Sequence, residues 1–416
     1  MLGHSDAGII FSVDPAIVIK QSVDTLAMNK NMCILTIAAV AVVAVLLGSW
    51  IASDNSGPDD FDPVGDWTMI EETKGYYIDG VPKYRQSNEE ARISIEKCAD
   101  EYSYIMIGDG YRSVWVRDGD LMTTGNLFGD EGGLYASLTI EEGVMRISYV
   151  TSICAVVKTF VREGSSVSEV PAYCPFPSFI KEGLILDGAV AMQILDDEDL
   201  TGDNYKFNVD RVESDMFFYR ITSDVAEPME FVCINYGNGM CIASSPYDDS
   251  QYVVDMIRPV DGLVYAVSFD RFDESISFWY AVYGDGSKIE HIDAELKETT
   301  YKGMQHATIM KDDEFIALDE ETAISLYYII QDNGVVNIST MTADNDWSDW
   351  GGLVYKKSDG YGIMIMSLAS YDGDRGYHGI YNCTLAEDLK TMTVNGSAGY
   401  YHTSVAFIQE LEKYGF

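Results

Sequence analysis

The residues of this sequence that could do chemistry are mainly acidic side chains grouped in short polar segments. Asp344, Asp346 and Asp349 lie within six residues of one another, and Asp372 and Asp374 flank a single glycine. Calcium is bound by several carboxylate and carbonyl oxygens, so these two clusters indicate calcium sites. The alternative is a pair of solvated acidic loops, because runs of like charge usually stay exposed and the first cluster lacks the glycine and glutamate of an EF-hand.

Recognisable catalytic motifs are absent from the sequence. The five histidines form no HExxH or His-x-x-x-His pair, and no Gly-x-Ser-x-Gly segment occurs. We therefore expect a protein that is not an enzyme and has no organic cofactor. The alternative is an exported carbohydrate-active hydrolase, because two carboxylates can catalyse glycoside cleavage without any local sequence motif.

Two of the seven cysteines have a spacing that could bring them together. Cys233 and Cys241 flank an Asn-Tyr-Gly-Asn-Gly segment, which is typical of a tight hairpin turn. The two side chains could face each other across adjacent strands and form a disulfide. The alternative is a pair of small buried thiols, since free cysteine behaves as a small apolar residue.

Three glycosylation sequons occur close to the carboxyl terminus. They begin at Asn337, Asn382 and Asn395, and on an exported chain each is a usable acceptor. The Asn-Gly dipeptide at Asn395 also fits a hairpin turn, which is the competing interpretation.

One segment predicts where the protein is located. Residues 32–52 form an apolar run of 21 residues without any charge, long enough as a helix to cross a hydrocarbon core. Lys20 and Lys30 precede this run, whereas acidic residues follow it. The positive-inside rule therefore predicts a single-pass membrane protein with its amino terminus inside and its bulk outside.

The flanking segments follow from this topology. Residues 1–31 form a cytoplasmic tail, whose true start could be Met28, and residues 53–64 form an acidic stalk. The alternative is a cleaved signal sequence and a secreted protein, because small residues follow the apolar run.

The charge of the chain restricts its partners. The formal net charge is -40, and since residues 1–52 carry three Asp and two Lys, -39 belongs to the remainder. Such a chain lacks the basic footprint that nucleic acids require. We therefore expect no nucleic acid as a partner, and instead a membrane contact through residues 32–52 and an unknown extracellular ligand or envelope component. Oligomeric state is not predicted.

The sequence beyond the stalk is typical of an all-β protein. Runs of Val, Ile, Tyr, Phe and Thr alternate with polar residues and are separated by acidic-Gly and Asn-Gly turns. Similar hairpins around Glu142-Gly143, Asp261-Gly262 and Asp359-Gly360 suggest an internal repeat of about 100–120 residues, enough for one barrel or sandwich. We expect three tandem antiparallel β units at 65–180, 181–290 and 291–416. The best helical candidate is Thr403–Tyr414.

The first unit opens on Gly65-Asp66-Trp67, directly before a strand. This Gly-x-Trp resembles the start of the lipocalin-like, or calycin, β-barrels. The resemblance implies a closed antiparallel barrel with the tryptophan packed across one end. The alternative architecture is a single β-propeller, since about 350 residues would suit seven blades. We expect a binding, adhesion or surface-display function, with a propeller-type sensor as a further alternative.

Overall fold

The computed structural model describes most of the chain from residue 61 onward. The predicted membrane segment 32–52 and its flanks lie outside the described residues, and within the described ranges no helix is long and apolar enough to cross a membrane. The described ranges are 61–88, 90–98, 103–108, 111–118, 120–127, 133–151, 153–165, 173–193, 205–224, 227–248, 251–272, 275–284, 296, 299–305, 307–311, 314–317, 324–331, 334–341, 349–358, 360–371, 375–386, 388–400 and 403–414.

The first sheet is a ring of eight antiparallel strands with one further strand attached. Strand β1 pairs with β3 on one edge and with β9 on the other, which closes the ring, and β2 pairs with the second half of β1. The strands are β1 Gly65–Ile78, β2 Val81–Ser87, β3 Arg92–Lys97, β4 Ser103–Gly108, β5 Tyr111–Asp118, β6 Leu121–Leu127, β7 Gly133–Glu141, β8 Val144–Val150 and β9 Ala155–Arg162. We call this ring barrel 1.

The second sheet is a closed barrel of eight antiparallel strands in simple chain order. Its first and last strands pair from Gly188 with Tyr283 to Gln193 with Phe278. The strands are β10 Ile185–Gln193, β11 Tyr205–Val212, β12 Met216–Thr222, β13 Met229–Gly237, β14 Met240–Asp248, β15 Gln251–Val260, β16 Leu263–Phe272 and β17 Ser275–Gly284. We call this ring barrel 2.

The third sheet closes in the same way, between its first strand and its last. Thr300 pairs with Tyr414 and Lys302 with Glu412, and a short β19–β20 hairpin adds to the last strand. The strands of this sheet, barrel 3, are β18 Thr300–Gln305, β19 Ala307–Lys311, β20 Glu314–Ala317, β21 Ile324–Ile330, β22 Val335–Met341, β23 Asp349–Lys357, β24 Gly360–Tyr371, β25 Arg375–Leu385, β26 Thr391–Tyr400 and β27 Thr403–Tyr414.

The expected all-β fold with tandem barrel units is confirmed, and the propeller alternative is wrong. Each ring is built from strands paired in sequence around a closed circle, which leaves no separate four-stranded blades. Trp67 lies in the core of barrel 1, 1% exposed, and its Nε1 donates to the Pro63 carbonyl at 2.8 Å. This placement agrees with the calycin resemblance.

Two-residue turns connect many of the paired strands. At Asp79-Gly80, Glu142-Gly143, Asn238-Gly239 and Asp261-Gly262 both turn residues have φ between +50° and +82°. This is the geometry of type I′ turns, whose twist matches that of the flanking strands. The Glu142 and Asp261 hairpins join the sixth and seventh strands of their rings, whereas the hairpin ending at Gly360 joins the fourth and fifth.

The helix expected at Thr403–Tyr414 is wrong, because this segment is strand β27. It pairs with β26 along its whole length, from Tyr400 with Thr403 to Thr391 with Glu412, and its end closes barrel 3. The backbone hydrogen bonds that close the barrel outweigh a local residue pattern that would favour a helix in an isolated segment.

Barrel 2 is apolar on both faces of its sheet. On β12, Phe217 and Tyr219 point into the barrel interior, whereas Met216 and Phe218 belong to a cluster outside it. This outer cluster also contains Val150 of barrel 1 and residues of barrel 3. Burying both faces removes far more apolar surface from water than one barrel interior alone. The three barrels therefore meet in one apolar cluster outside barrel 2.

A β-bulge in β1 directs this strand from one barrel to the next. Trp67 and Met69 lie in the interior of barrel 1, and the pairing with β9 shifts between Met69 and Glu71. One extra residue reverses the alternation of faces. Gly75 and Tyr77 therefore lie against barrel 2 instead of inside barrel 1, and Tyr77 joins the shared cluster.

Gly75→Ala tests the contact between barrels 1 and 2. A Cβ at this position would lie 2.4 Å from Met216 Sδ and 2.6 Å from Val232 Cγ1, so the barrels would have to move apart. We expect a loss of about 1–3 kcal/mol in the free energy of unfolding, measured by urea denaturation. Arg85→Ala, at an exposed site on β2, is the control and should change stability by less than about 0.5 kcal/mol. Equal stability of both variants would contradict the close packing.

Candidate ligand-binding cleft

A cavity of about 410 Å³ lies at the junction of barrels 1 and 2. Its walls come from the β5–β6 and β7–β8 hairpins of barrel 1, the β13–β14 hairpin of barrel 2, and the segment that links the two barrels. The lining residues are Phe61, Asp120, Leu121, Thr139, Ile140, Glu141, Tyr173, Pro175, Asn235, Gly237, Asn238 and Gly239. Small-molecule sites have this size and often lie between domains.

A buried arginine supports one wall of the cleft. Arg146 lies on β8 between Met145 and Ile147, which point into barrel 1, so its side chain faces outward. Its guanidinium stacks 3.9 Å from the centre of the Tyr173 ring and lies 4.0 Å from Glu141. Burial lowers the pKa of Arg146, and its interactions with Tyr173 and Glu141 act in the opposite direction. A buried cation needs such partners to offset its lost hydration.

Tyr173 also connects the linker to barrel 2. Asn235 Nδ2 donates to the Tyr173 hydroxyl at 2.8 Å, and Asn235 Oδ1 accepts from the Gly237 amide at 3.2 Å. Burial raises the pKa of Tyr173, so the phenol stays neutral at physiological pH. Because one ring contacts both barrels, Tyr173 fixes the width of the cleft.

The rim of the cleft is acidic and its inner wall is aromatic. Asp120 and Glu141 are exposed to solvent at the two hairpins of barrel 1. Phe61 is buried, with the Arg117 guanidinium 4.8 Å from its ring centre. The cleft therefore combines carboxylate acceptors, amide groups and carbon surface within one small volume.

Glu71 and Asp215 form another pair of carboxylates at the same junction, of the kind that can act as an acid and a base in glycoside cleavage. Burial raises the pKa of both Glu71 and Asp215, and repulsion from Asp215 raises the pKa of Glu71 further. However, Asp215 accepts hydrogen bonds from Thr73 and from Tyr84, the latter at 3.2 Å. Neither carboxylate lines the cleft. This arrangement ties the β1–β2 hairpin to barrel 2 instead of presenting two free acids to a substrate.

The predicted calcium ligands lie largely outside the described residues. This holds for Asp344, Asp346, Asp372 and Asp374, and Asp349 is the first residue of β23, paired with Leu368. Among the residues that the structure describes, no group of three or more potential ligands is close enough to hold a metal ion. Calcium binding stays a prediction.

The two cysteines lie inside barrel 2 as free, buried thiols. Cys233 is in register with Ala243 and Cys241 with Asn235, so the cysteines are diagonal neighbours on the same inner face. Burial raises the pKa of Cys233 far above its usual value. Both side chains lie in the apolar interior, and a disulfide between them stays a prediction.

The three sequons lie within strands of barrel 3. Asn337 is half-buried on β22, and Asn382 of β25 is in register with Asn395 of β26. The hairpin turn considered for Asn395 is therefore wrong, since the β25–β26 connection lies at residues 386–390. Glycosylation of the three residues stays a prediction.

Sequence reasoning did not identify the cleft residues. Asp120, Thr139, Glu141, Tyr173 and Asn235 come from separate hairpins and a linker, spread over more than one hundred positions. The Glu142-Gly143 and Asn238-Gly239 turns can be recognised in the sequence. They show where hairpins end, but they do not show which hairpins lie next to each other in the fold.

Comparison with solved structures finds distant neighbours of this chain. No protein-family model and no curated protein matches the sequence. Isotype 1 transferrin-binding protein B from serogroup B Neisseria meningitidis is 7% identical, with 85% of this chain and 77% of that chain covered and a TM-score of 0.22. A mutant transferrin-binding protein B from Haemophilus parasuis Hp5 is 10% identical, with 85% and 76% covered and a TM-score of 0.21.

A double-mutant cycle tests the stacking of Tyr173 on Arg146. Tyr173→Leu removes the ring face and the hydroxyl, leaving a buried cation with fewer partners, so we expect a loss of about 1–3 kcal/mol in unfolding free energy. Tyr173→Phe keeps the ring and should lose about 1 kcal/mol. In an Arg146→Met background the cost of Tyr173→Leu should fall by at least about 1 kcal/mol in urea denaturation. An unchanged cost would contradict the coupling.

Proposed function

We propose that this chain is a binding protein and that the cleft between barrels 1 and 2 captures a small hydroxyl-rich ligand, such as the end of a carbohydrate chain. The observation that carries this proposal is the cleft itself. It has a volume of about 410 Å³ and a lining that mixes carboxylates, amides and aromatic carbon. Sugars suit such a mixture, because their hydroxyls require hydrogen bonds and their C–H faces pack on carbon surface.

The carboxylate groups around the cleft can accept hydrogen bonds from ligand hydroxyls. Asp120 and Glu141 are the carboxylates of the rim, and the Arg146 guanidinium lies 4.0 Å from Glu141. This cation offsets part of the negative potential. The remaining carboxylate oxygens can each accept hydrogen bonds from ligand hydroxyls, which are strong when one partner is charged.

The construction of the walls supports binding with little rearrangement. The Glu142-Gly143 and Asn238-Gly239 turns at the cleft have the compact type I′ geometry. At the back, the Gly237 backbone lies against Leu121, where a Cβ would come within 2.5 Å of Leu121 Cδ1. A preorganised site loses less conformational entropy when a ligand binds.

Isothermal titration with soluble trisaccharides tests this proposal. The probes are maltotriose, cellotriose and triacetylchitotriose, of which we expect at least one to bind saturably with a stoichiometry near one. The double variant Asp120→Asn, Glu141→Gln should weaken that binding by about tenfold or more, because it removes charged acceptors.

Two comparisons make the titration decisive. Asp187→Asn, at an exposed site on barrel 2 remote from the cleft lining, should leave binding unchanged. Saturable binding of trilysine in place of every trisaccharide, or no binding of any probe, would overturn the proposal of a hydroxyl-rich ligand.

We further propose that the barrels are displayed outside the cell on a single anchor formed by residues 32–52. Three features of the sequence support this: the 21 uncharged residues, the lysines that precede them, and the acidic residues that follow. The net charge of -39 beyond residue 52 also suits a surface that must stay hydrated in an ionic exterior. Secretion after cleavage is the alternative.

Protease treatment of intact cells tests this topology. We expect proteinase K to remove the barrels from cells expressing a carboxyl-terminally tagged chain, with a cytoplasmic protein of the same cells left intact as the control. Full protection of the tag on intact cells, with digestion after lysis, would show an inner location. Recovery of the tag in the medium would instead support the secreted form.

A further inference from the structure

The β1–β2 hairpin of barrel 1 has two faces with different surroundings. Hydroxyl groups of Thr73, Tyr77 and Tyr84 donate to Asp210 and Asp215 of barrel 2, so one face of the hairpin lies against that barrel. Residues paired directly across two strands lie on the same side of a sheet. The register of β1 with β2 therefore places a second set of side chains on the opposite side, which we call the hairpin face: Lys74, Tyr76, Ile78, Val81, Lys83 and Arg85.

The hairpin face carries exposed carbon surface. Ile78 and Val81 lie opposite each other at the end of the hairpin and are 49% and 48% exposed. Tyr76 is half-buried and lies next to them on the same face, opposite Lys83. Single exposed apolar residues are ordinary, whereas aliphatic and aromatic side chains grouped on one surface are typical of a binding site.

The charge of the hairpin face is opposite to that of the chain as a whole. Between residues 73 and 88 the sequence has three basic residues, Lys74, Lys83 and Arg85, against one acidic residue, Asp79, whereas the whole chain carries -40. Salt screens exposed charges over about 8 Å at physiological ionic strength. The acidic residues of more distant surfaces therefore do not cancel this local positive charge.

The carboxylate closest in sequence on the same side of β1 does not cancel it either. Glu72 is 6% exposed and precedes Lys74 by two residues. Its two oxygens lie 2.7 Å from Lys74 Nζ and 3.6 Å from Lys158 Nζ, so one carboxylate faces two ammonium groups. Lys83 and Arg85 add two further cations on the exposed strand β2.

The small size of this basic surface restricts its partner. From Lys74 to Ile78 the strand rises by about 13 Å. A lipid bilayer or a second copy of the chain is broader than this, and the acidic remainder of the protein would repel an anionic bilayer or another acidic chain. A narrow anionic chain avoids that repulsion because it contacts the hairpin face alone.

The free edge of β2 does not favour a peptide that binds as an added strand. Among the described strands β2 pairs with β1 only, and it carries Pro82 and Lys83. Proline cannot donate a backbone hydrogen bond, and proline and lysine on an edge strand discourage further pairing. Recognition therefore depends on the side chains of the hairpin face.

We propose that the hairpin face binds an acidic polysaccharide whose sugar rings carry carboxylates, a polyuronate. The Arg85 guanidinium can donate two parallel hydrogen bonds to one carboxylate, and the ammonium groups of Lys74 and Lys83 bind neighbouring carboxylates. The C–H face of a sugar ring packs on Tyr76 and on the exposed carbon surface beside it. An acidic peptide would satisfy the cations but has no ring to cover the tyrosine.

This site is separate from the cleft between barrels 1 and 2. The hairpin face shares no residue with the lining of the cleft. Its shape is fixed independently, by the Asp79-Gly80 turn and by the hydrogen bonds of Tyr77 and Tyr84 to barrel 2, of 3.0 and 3.2 Å. A preorganised surface loses little conformational entropy on binding.

Isothermal titration of the full chain with trigalacturonate tests the proposal. We expect saturable binding that weakens as salt is added, because exposed charge pairs are screened. The double variant Lys83→Gln, Arg85→Gln should weaken this binding by about tenfold or more. The matched control is Lys181→Gln, Lys206→Gln, which changes the net charge equally at exposed sites outside the hairpin and should keep the affinity.

Further comparisons identify the class of partner. Tyr76→Ala should weaken the binding of trigalacturonate several-fold, whereas Tyr76→Phe should restore it, because the ring face and not the hydroxyl contacts the sugar. Tetraglutamate, which has carboxylates but no sugar rings, should bind several-fold more weakly than trigalacturonate. Vesicles of phosphatidylglycerol should not bind.

Several outcomes would overturn the proposal. Equal or tighter binding of tetraglutamate would indicate an acidic peptide, and binding of the vesicles that requires Lys83 and Arg85 would indicate a membrane surface. The absence of saturable binding of trigalacturonate would leave no polyuronate site. Binding that is lost in Asp120→Asn, Glu141→Gln but kept in the hairpin double variant would place this sugar in the cleft, so that the two sites are tested separately.

Discussion

The architecture of this protein depends on the double burial of the barrel 2 sheet. Its strands carry large apolar residues on both faces, with Phe217 and Tyr219 inside the barrel and Met216 and Phe218 outside it. An isolated barrel with such an outer face would expose a large apolar surface to water. Barrels 1 and 3 cover that surface, and the shared cluster outside barrel 2 contains residues from all three rings. The rings are therefore parts of one folded unit.

The bulge in β1 is the local device that makes this packing possible for barrel 1. Before it, Trp67 and Met69 fill the barrel interior; after it, Thr73, Gly75 and Tyr77 face the neighbouring barrel. The second half of β1 also pairs with β2, and this hairpin lies against barrel 2. The hydroxyl groups of Thr73, Tyr77 and Tyr84 donate hydrogen bonds to Asp210 and Asp215 of barrel 2. The cleft forms where hairpin tips of the two barrels meet the linker residue Tyr173.

Three buried charged groups differ in how fully the protein supplies them with interaction partners. Arg146 is stacked on Tyr173 and lies near Glu141, and Asp215 accepts from Thr73 and Tyr84, so both are satisfied within the protein. Asp255 differs because one of its oxygens lacks a partner and lies at a cavity. Interior polar groups are nearly always paired. Asp255 Oδ1 is one of three buried side-chain atoms without a hydrogen-bond partner among the described residues, together with Ser244 Oγ and Trp279 Nε1.

The sequence by itself determined the strands, the tight turns and the barrel start at Trp67, because alternation and Gly-containing turns are local signals. It misassigned Thr403–Tyr414, whose strand conformation depends on pairing with β26 and β18. Only the tertiary structure decided which outer faces are covered and which hairpin tips meet at the cleft. Alternation tells which residues point to opposite faces of a strand, but the partner of each face is set by closure, register and packing over long sequence distances.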